Sequence, residues 1–156
     1  MPSDLVTEAD AYVFDWSVDG TGTVRFVDDL VIEALYVRIR GDDVDRTVAR
    51  FMAAFDTAAY TDFLATLAQP VISGSERERA LELLGVTAPR SYDDAVFGAV
   101  VQGLDGDSVE VRCAATSAAG HLGWRQFRPG VQRIADCDPA PDNRAFATNV
   151  LYSLPQ

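Results

Sequence analysis

The chain has 156 residues, with 24 acidic side chains against 13 basic ones and a net charge of −11. Every base is Arg, and Lys is absent. That balance argues against nucleic acid and anionic membrane as partners, because phosphate binding needs a basic footprint, and a single His with two Cys removes most catalytic and metal-binding constellations.

An apolar content of 48% with 24% charged residues is that of a globular chain. No apolar run of 18 residues occurs, and the opening MPSDLVTEAD has neither a basic n-region nor an apolar h-region. These features predict a cytoplasmic protein in which Cys113 and Cys137 are free thiols. No Cys-x-x-Cys or Cys/His spacing supports zinc, and no cofactor is expected. The missing Lys and the 22 Ala have two readings: a GC-rich coding sequence, or an acidic surface suited to a basic partner or to salt.

Up to about residue 41 the signals are those of strands. Tyr12, Phe14, Trp16 and Val18 alternate with Val13, Asp15 and Ser17. Asp19-Gly20-Thr21-Gly22 reads as a hairpin turn, Thr23 to Val27 as the returning strand, and Leu30 to Arg40 as a third strand. Within the third strand Leu35, Val37 and Ile39 face one way, and a phase slip at Glu33-Ala34 predicts a bulge or a bend. Val44, Val48, Phe51, Met52 and Phe55 then form one helical stripe, behind Asp42, Asp43 and Asp45. This helix is expected to cover the sheet, with Trp16 packed beneath it.

From residue 57 the periodicity predicts helices over 57–69, 75–84, 91–104, 108–122, 129–136 and 142–154. Ser75…Glu78, Ser91…Asp94 and Asp107…Glu110 are candidate starts of capping-box type, and Pro129 suits a first helical turn. Pro70, Gly85, Pro89, Gly123 and Pro139 punctuate the ends.

Three of these helices align on one frame. Arg77, Arg112 and Arg144 are each followed at +3 by Ala80, Ala115 and Ala147, and at +6 and +7 by small or apolar residues. The offsets between frames, 35 and 32 residues, suit two-helix repeats. The segment Asp105-Gly106-Asp107-Ser108-Val109-Glu110-Val111-Arg112, continuing to Ala115, Ala118 and Gly120, resembles a HEAT-like repeat: an Asp-containing turn, Val-Arg and a small-residue ridge. Asp138, Asp142 and Arg144 give a weaker match, and the first frame has Ser73-Gly74-Ser75 in place of the turn Asp. The resemblance covers about residues 57–156, and a non-repetitive bundle is the other reading. It implies that Arg112 and Arg144 are structural, paired with a turn Asp of their own or the preceding repeat, and that the Ala ridge lets helices approach closely.

The expected fold is therefore mostly α, α+β overall. Residues 1–56 form a short antiparallel sheet with its covering helix, and residues 57–156 an α-solenoid of about three HEAT-like helix pairs, in one compact unit.

Catalytic chemistry is thin. His121 follows a helix end, where an imidazole satisfies the dipole. Cys113 falls inside a helix, no Gly-x-Ser-x-Gly elbow occurs, and the acid pairs Asp28-Asp29, Asp42-Asp43 and Asp93-Asp94 stand at turns or helix starts, where Asp is favoured locally. Trp124, Phe127, Tyr92 and Tyr152 lie near repeat turns and are candidate anchors for a partner, or caps on the core.

The leading expectation is a non-catalytic, protein-binding adaptor with an acidic surface. An immunity or antitoxin-type inhibitor of a basic partner is a specific version, and the HEAT-like resemblance also implies a lyase or enzyme-assisting role as an alternative. Residues 1–75 hold 13 acids and 5 Arg, residues 76–156 hold 11 and 8. A partner drawn by acidity is thus expected on the N-terminal surface.

Overall fold

A computed structural model describes residues 6–8, 11–18 and 22–156. Asp19, Gly20 and Thr21 of the expected hairpin turn lie outside them, as does most of the N-terminal segment read for a leader. The chain divides into two compact units, Met1–Ala58 and Ala59–Gln156.

The first unit is an antiparallel sheet of four strands in the order β1 (Val6–Glu8), β2 (Ala11–Val18), β3 (Gly22–Asp29) and β4 (Ala34–Gly41). β1 was not among the expected strands; it pairs with β2 through Val6↔Val13, Thr7↔Tyr12 and Glu8↔Ala11. The central register sets Trp16 opposite Val24 and Val24 opposite Ile39. Residues 30–33 are a turn, so of the expected bulge or bend the chain takes the bend, and the third expected strand starts at Ala34 and not at Leu30. The Asp29 carboxylate accepts from the backbone N–H of Val31 at 3.0 Å and of Ile32 at 3.3 Å, and Glu33 takes a positive φ of 48°. The phase slip in the sequence marks that turn.

Alternation of side chains puts Tyr12, Phe14 and Trp16 on one face with Val24, Phe26, Asp28, Leu35, Val37 and Ile39. α1 (Val44–Ala54) starts at Asp43, whose side chain accepts from the Arg46 N–H. It meets this face through Phe51, whose ring lies 5.7 Å from that of Phe26. The cover is partial: no residue of α1 is buried, and Met52 and Phe55 are exposed. Trp16 touches Phe26 edge-on at 4.7 Å rather than lying beneath the helix, and stays exposed. α1 lies nearest β4 and leaves the β2 side of the face unshielded.

The second unit holds α2 (Tyr60–Leu67), α3 (Gly74–Thr87), α4 (Asp94–Leu104), α5 (Val109–Leu122), α6 (Arg128–Cys137) and α7 (Pro141–Ser153), with a 3₁₀ turn at Arg125–Phe127. α2 packs on α3, α4 on α5 and α6 on α7. α3 also packs on α5 and α5 on α7, while α2 touches α4 and α4 touches α6. The helices thus make two layers, with Leu81, Leu84, Val96, Val100, Leu104, Phe127 and Val131 buried in a shared core.

The helix starts differ from expectation by one to three residues. The N-caps are Ser73, Asp93 and Ser108, whose side chains accept from Glu76, from Ala95 and Val96, and from Val111. Ser73 closes a capping box, since the Glu76 carboxylate accepts the Ser73 N–H at 3.0 Å. Gly85 does not end its helix either: α3 continues to Thr87. A Cβ on Gly85 would stand 2.6 Å from the Ala118 Cα, so its lack of a side chain lets α3 and α5 touch backbone to backbone. Gly123 does serve as a stop, in the left-handed conformation at the end of α5.

Candidate functional site

Of the groups singled out in the sequence, those around the turns before α5 and α7 converge. Arg112, near the start of α5, donates through Nη1 to the carbonyls of Gly106 and Asp107, both at 2.9 Å. Its Nε and Nη2 reach the Asp138 carboxylate at 2.6 and 3.2 Å. Asp138 is buried and also accepts from the Ala140 N–H and the Asn143 amide, each at 2.9 Å. The guanidinium, followed by these N–H donors, holds the Asp138 carboxyl down at about 2. Arg112 therefore pairs with the acid of the following helix pair, not with its own or the preceding turn. Its own turn offers carbonyls, while Asp105 turns outward to Arg133 at 2.5 Å.

Arg144 repeats half of this arrangement. Its Nη1 donates to the carbonyl of Asp138 at 2.6 Å and, more weakly, to that of Pro139. Both arginines thus reach back six and five residues along the chain. Arg77 makes no such bond among the described residues. Ala80, Ala115 and Ala147, three residues after each Arg, are all buried. Asn143 is the polar partner that sequence reasoning missed. It heads the stripe Asn143, Ala147, Val150 and Leu154, buried throughout, and a polar residue in a core register was the available signal. Its Oδ1 has no hydrogen-bond partner.

At the opposite ends of α3 and α5 a second cluster forms. The Trp124 indole N–H donates to the Arg90 carbonyl at 2.8 Å, and the Arg90 guanidinium donates to the carbonyl of His121. Arg128 does the same for α7, donating to Leu151 and Leu154 at 3.0 and 2.8 Å. Both satisfy carbonyls at a helix C-terminus, where a cation is favoured. The rings of Trp124 and Phe127 stack at 5.5 Å, with Phe97 on Phe127 and Tyr92 on Trp124. Trp124 and Phe127 are buried, so the expectation that they form a binding surface gives way: these rings fill the space between loops and core. Tyr92 is the exposed member of the cluster; desolvation by its ring neighbours, then Asp94, pushes its phenol up. Tyr152 stands apart, 86% exposed on α7.

His121 enters this cluster through its carbonyl. Cys113 is half-buried, and that burial, reinforced by Glu78 and Glu82 across α3, pushes its thiol up, the reverse of what a nucleophile needs. Cys137 is exposed, and both cysteines are free. Among the described residues no three His, Cys, Asp or Glu side chains gather to hold a metal ion, and no helix is long and apolar enough to cross a membrane.

The first unit contributes a different surface. Tyr12, Phe14 and Trp16 stand in a row along β2, 41%, 39% and 38% exposed, and Leu35 on the same face is 69% exposed. On the opposite face Arg25 grips Asp15 with two bonds of 2.8 Å, which lowers the Asp15 carboxyl. Comparison of the chain with family models, with curated proteins and with solved structures returned no match.

Proposed function

We propose that residues 59–156 are a short array of HEAT-like helix pairs, and that the protein is a non-catalytic adaptor whose acidic surface binds a basic protein partner. The observation that carries the array is a contact repeated in register. Gly85 lies eight residues after Arg77 and meets Ala118, six after Arg112; Gly120 lies eight after Arg112 and meets Val150, six after Arg144. Arg112 and Arg144 also brace their turns at matching offsets. Stacked pairs of this kind present a continuous helix layer to a partner.

The chemistry favours recognition over catalysis. The buried ionic group, Arg112 with Asp138, is committed to joining two helix pairs, and the buried rings are committed to the core. What remains toward solvent is an acid excess, which steers a basic protein at long range.

The test is association kinetics of the full chain with a basic protein cross-linked to it in its host cell. Raising salt from about 20 to about 300 mM is expected to slow association at least about tenfold. Salt-independent association overturns the reading, as does a catalytic activity lost on His121→Ala or Cys113→Ala.

A further inference from the structure

Charge and apolar area are divided unequally between the two faces of the sheet. Arg25, Arg38 and Arg40 all belong to one face, where Arg25 holds Asp15 and Arg38 lies 5.2 Å over the Tyr36 ring. The other face carries Tyr12, Phe14, Trp16 and Leu35, and among the described strand residues it carries no Arg. It does carry an acid. The register sets Asp28 between Tyr12 and Leu35, and the Asp28 carboxylate has no hydrogen bond or ion pair among the described residues. α1 leaves this row open because it lies nearest β4 and its ring contact stops at Phe26 of β3, one strand short of β2. The cation at the start of α1, Arg46, lies 3.9 Å from Asp43 of its own helix.

An apolar surface of several adjoining large side chains is what a soluble domain reserves for a partner. Here an unmatched carboxylate stands within it. A second copy of the chain would set Asp28 near its own counterpart and bring together two units that each hold 12 acids against 5 Arg. A basic segment answers all of these features at once: apolar anchors cover the rings, a cation meets Asp28, and further cations lie on the aromatic faces.

We propose that the face formed by Tyr12, Phe14, Trp16, Asp28 and Leu35 is the docking site for a polypeptide segment that alternates apolar residues with Arg or Lys. The proposal deepens the adaptor reading and rests on it. The probe is a set of three synthetic peptides of equal length titrated into the isotope-labelled full chain and followed by amide chemical shifts. One alternates Arg with Leu, one replaces Arg by Glu, and one replaces Leu by Ser.

The Arg/Leu peptide alone is expected to move the amides of residues 12–16, 28 and 35. Phe14→Ser should weaken that binding at least about tenfold. Asp28→Asn, which breaks no internal bond and so spares the fold, should weaken it about two- to fivefold. Asp28→Arg should shift the preference toward the Glu/Leu peptide. Shifts confined to residues 59–156 overturn the docking face and leave the adaptor reading standing. No shift with any peptide at low salt overturns both. Equal binding of the Glu/Leu peptide overturns the charge argument, and concentration-dependent changes at residues 12–16 without peptide assign the face to self-association instead.

Discussion

Asp138 is the side chain through which a single substitution reaches two helix pairs. Replacing it with Ala leaves the Arg112 guanidinium, largely buried, without its counter-charge, and is expected to cost about 3–5 kcal/mol in urea unfolding. The same pair sets an acid limit. The folded carboxyl titrates at about 2, below its ordinary 3.8, so its stabilising contribution is complete above about pH 4 and is lost as pH falls from there through 2. Thermal melts between pH 5 and 2 should show that loss in the parent chain and a flatter profile in Asp138→Asn. The thiols give a second check. At neutral pH a thiol-exchange reagent should modify Cys137 first and Cys113 at least about tenfold more slowly, and Cys137→Ser should abolish the fast phase. In the sequence Asp138 is legible as a turn residue, and Arg112 as the anchor of its frame. Their pairing is not, because 26 residues separate them and only the packing of α5 against α6 and α7 brings them together.

Among elements, the helices are read well from their apolar spacing and less well at their ends. The starts of α3 and α4 each offer several acceptors in succession, Ser73 and Ser75 or Ser91 and Asp93, and periodicity does not choose between neighbours. The cap observed at Asp93 accepts two backbone N–H groups, and Asp93→Ala should destabilise the chain by about 1 kcal/mol, with Ser91→Ala close to neutral. Glycines divide by the space around them. Gly85→Ala drives a methyl into the Ala118 backbone and should lower the melting temperature through a loss of about 1–3 kcal/mol. Gly98→Ala, with nothing within 4 Å of the added Cβ, should raise stability by about 0.5–1 kcal/mol. Read as punctuation, Gly85 marks a helix end; its role as a contact surface depends on α5, a neighbour that spacing within α3 cannot reveal.

Across the whole molecule the two units differ in how far their sequences complete a core. The helical unit buries Leu81, Leu84, Val96, Val100 and Leu104 fully, whereas α1 buries nothing. A fragment of residues 59–156 is therefore expected to unfold cooperatively with a helical circular-dichroism spectrum, and a fragment of residues 1–58 to lack a sharp transition. Alternation along β2 and the stripe of α1 are both visible in the sequence. That the two meet over Phe26 and leave Tyr12, Phe14 and Trp16 outside is a matter of helix placement, which pattern alone does not carry. Tyr152 has a consequence of another kind. It holds, eight residues after Arg144, the place that Gly85 and Gly120 hold in their own helices, where each lets the next helix come close. A copy of residues 90–124 grafted behind α7 would strike that ring; with Tyr152→Gly it could seat, and the length of the helical stack would become something an engineer can set by counting duplications.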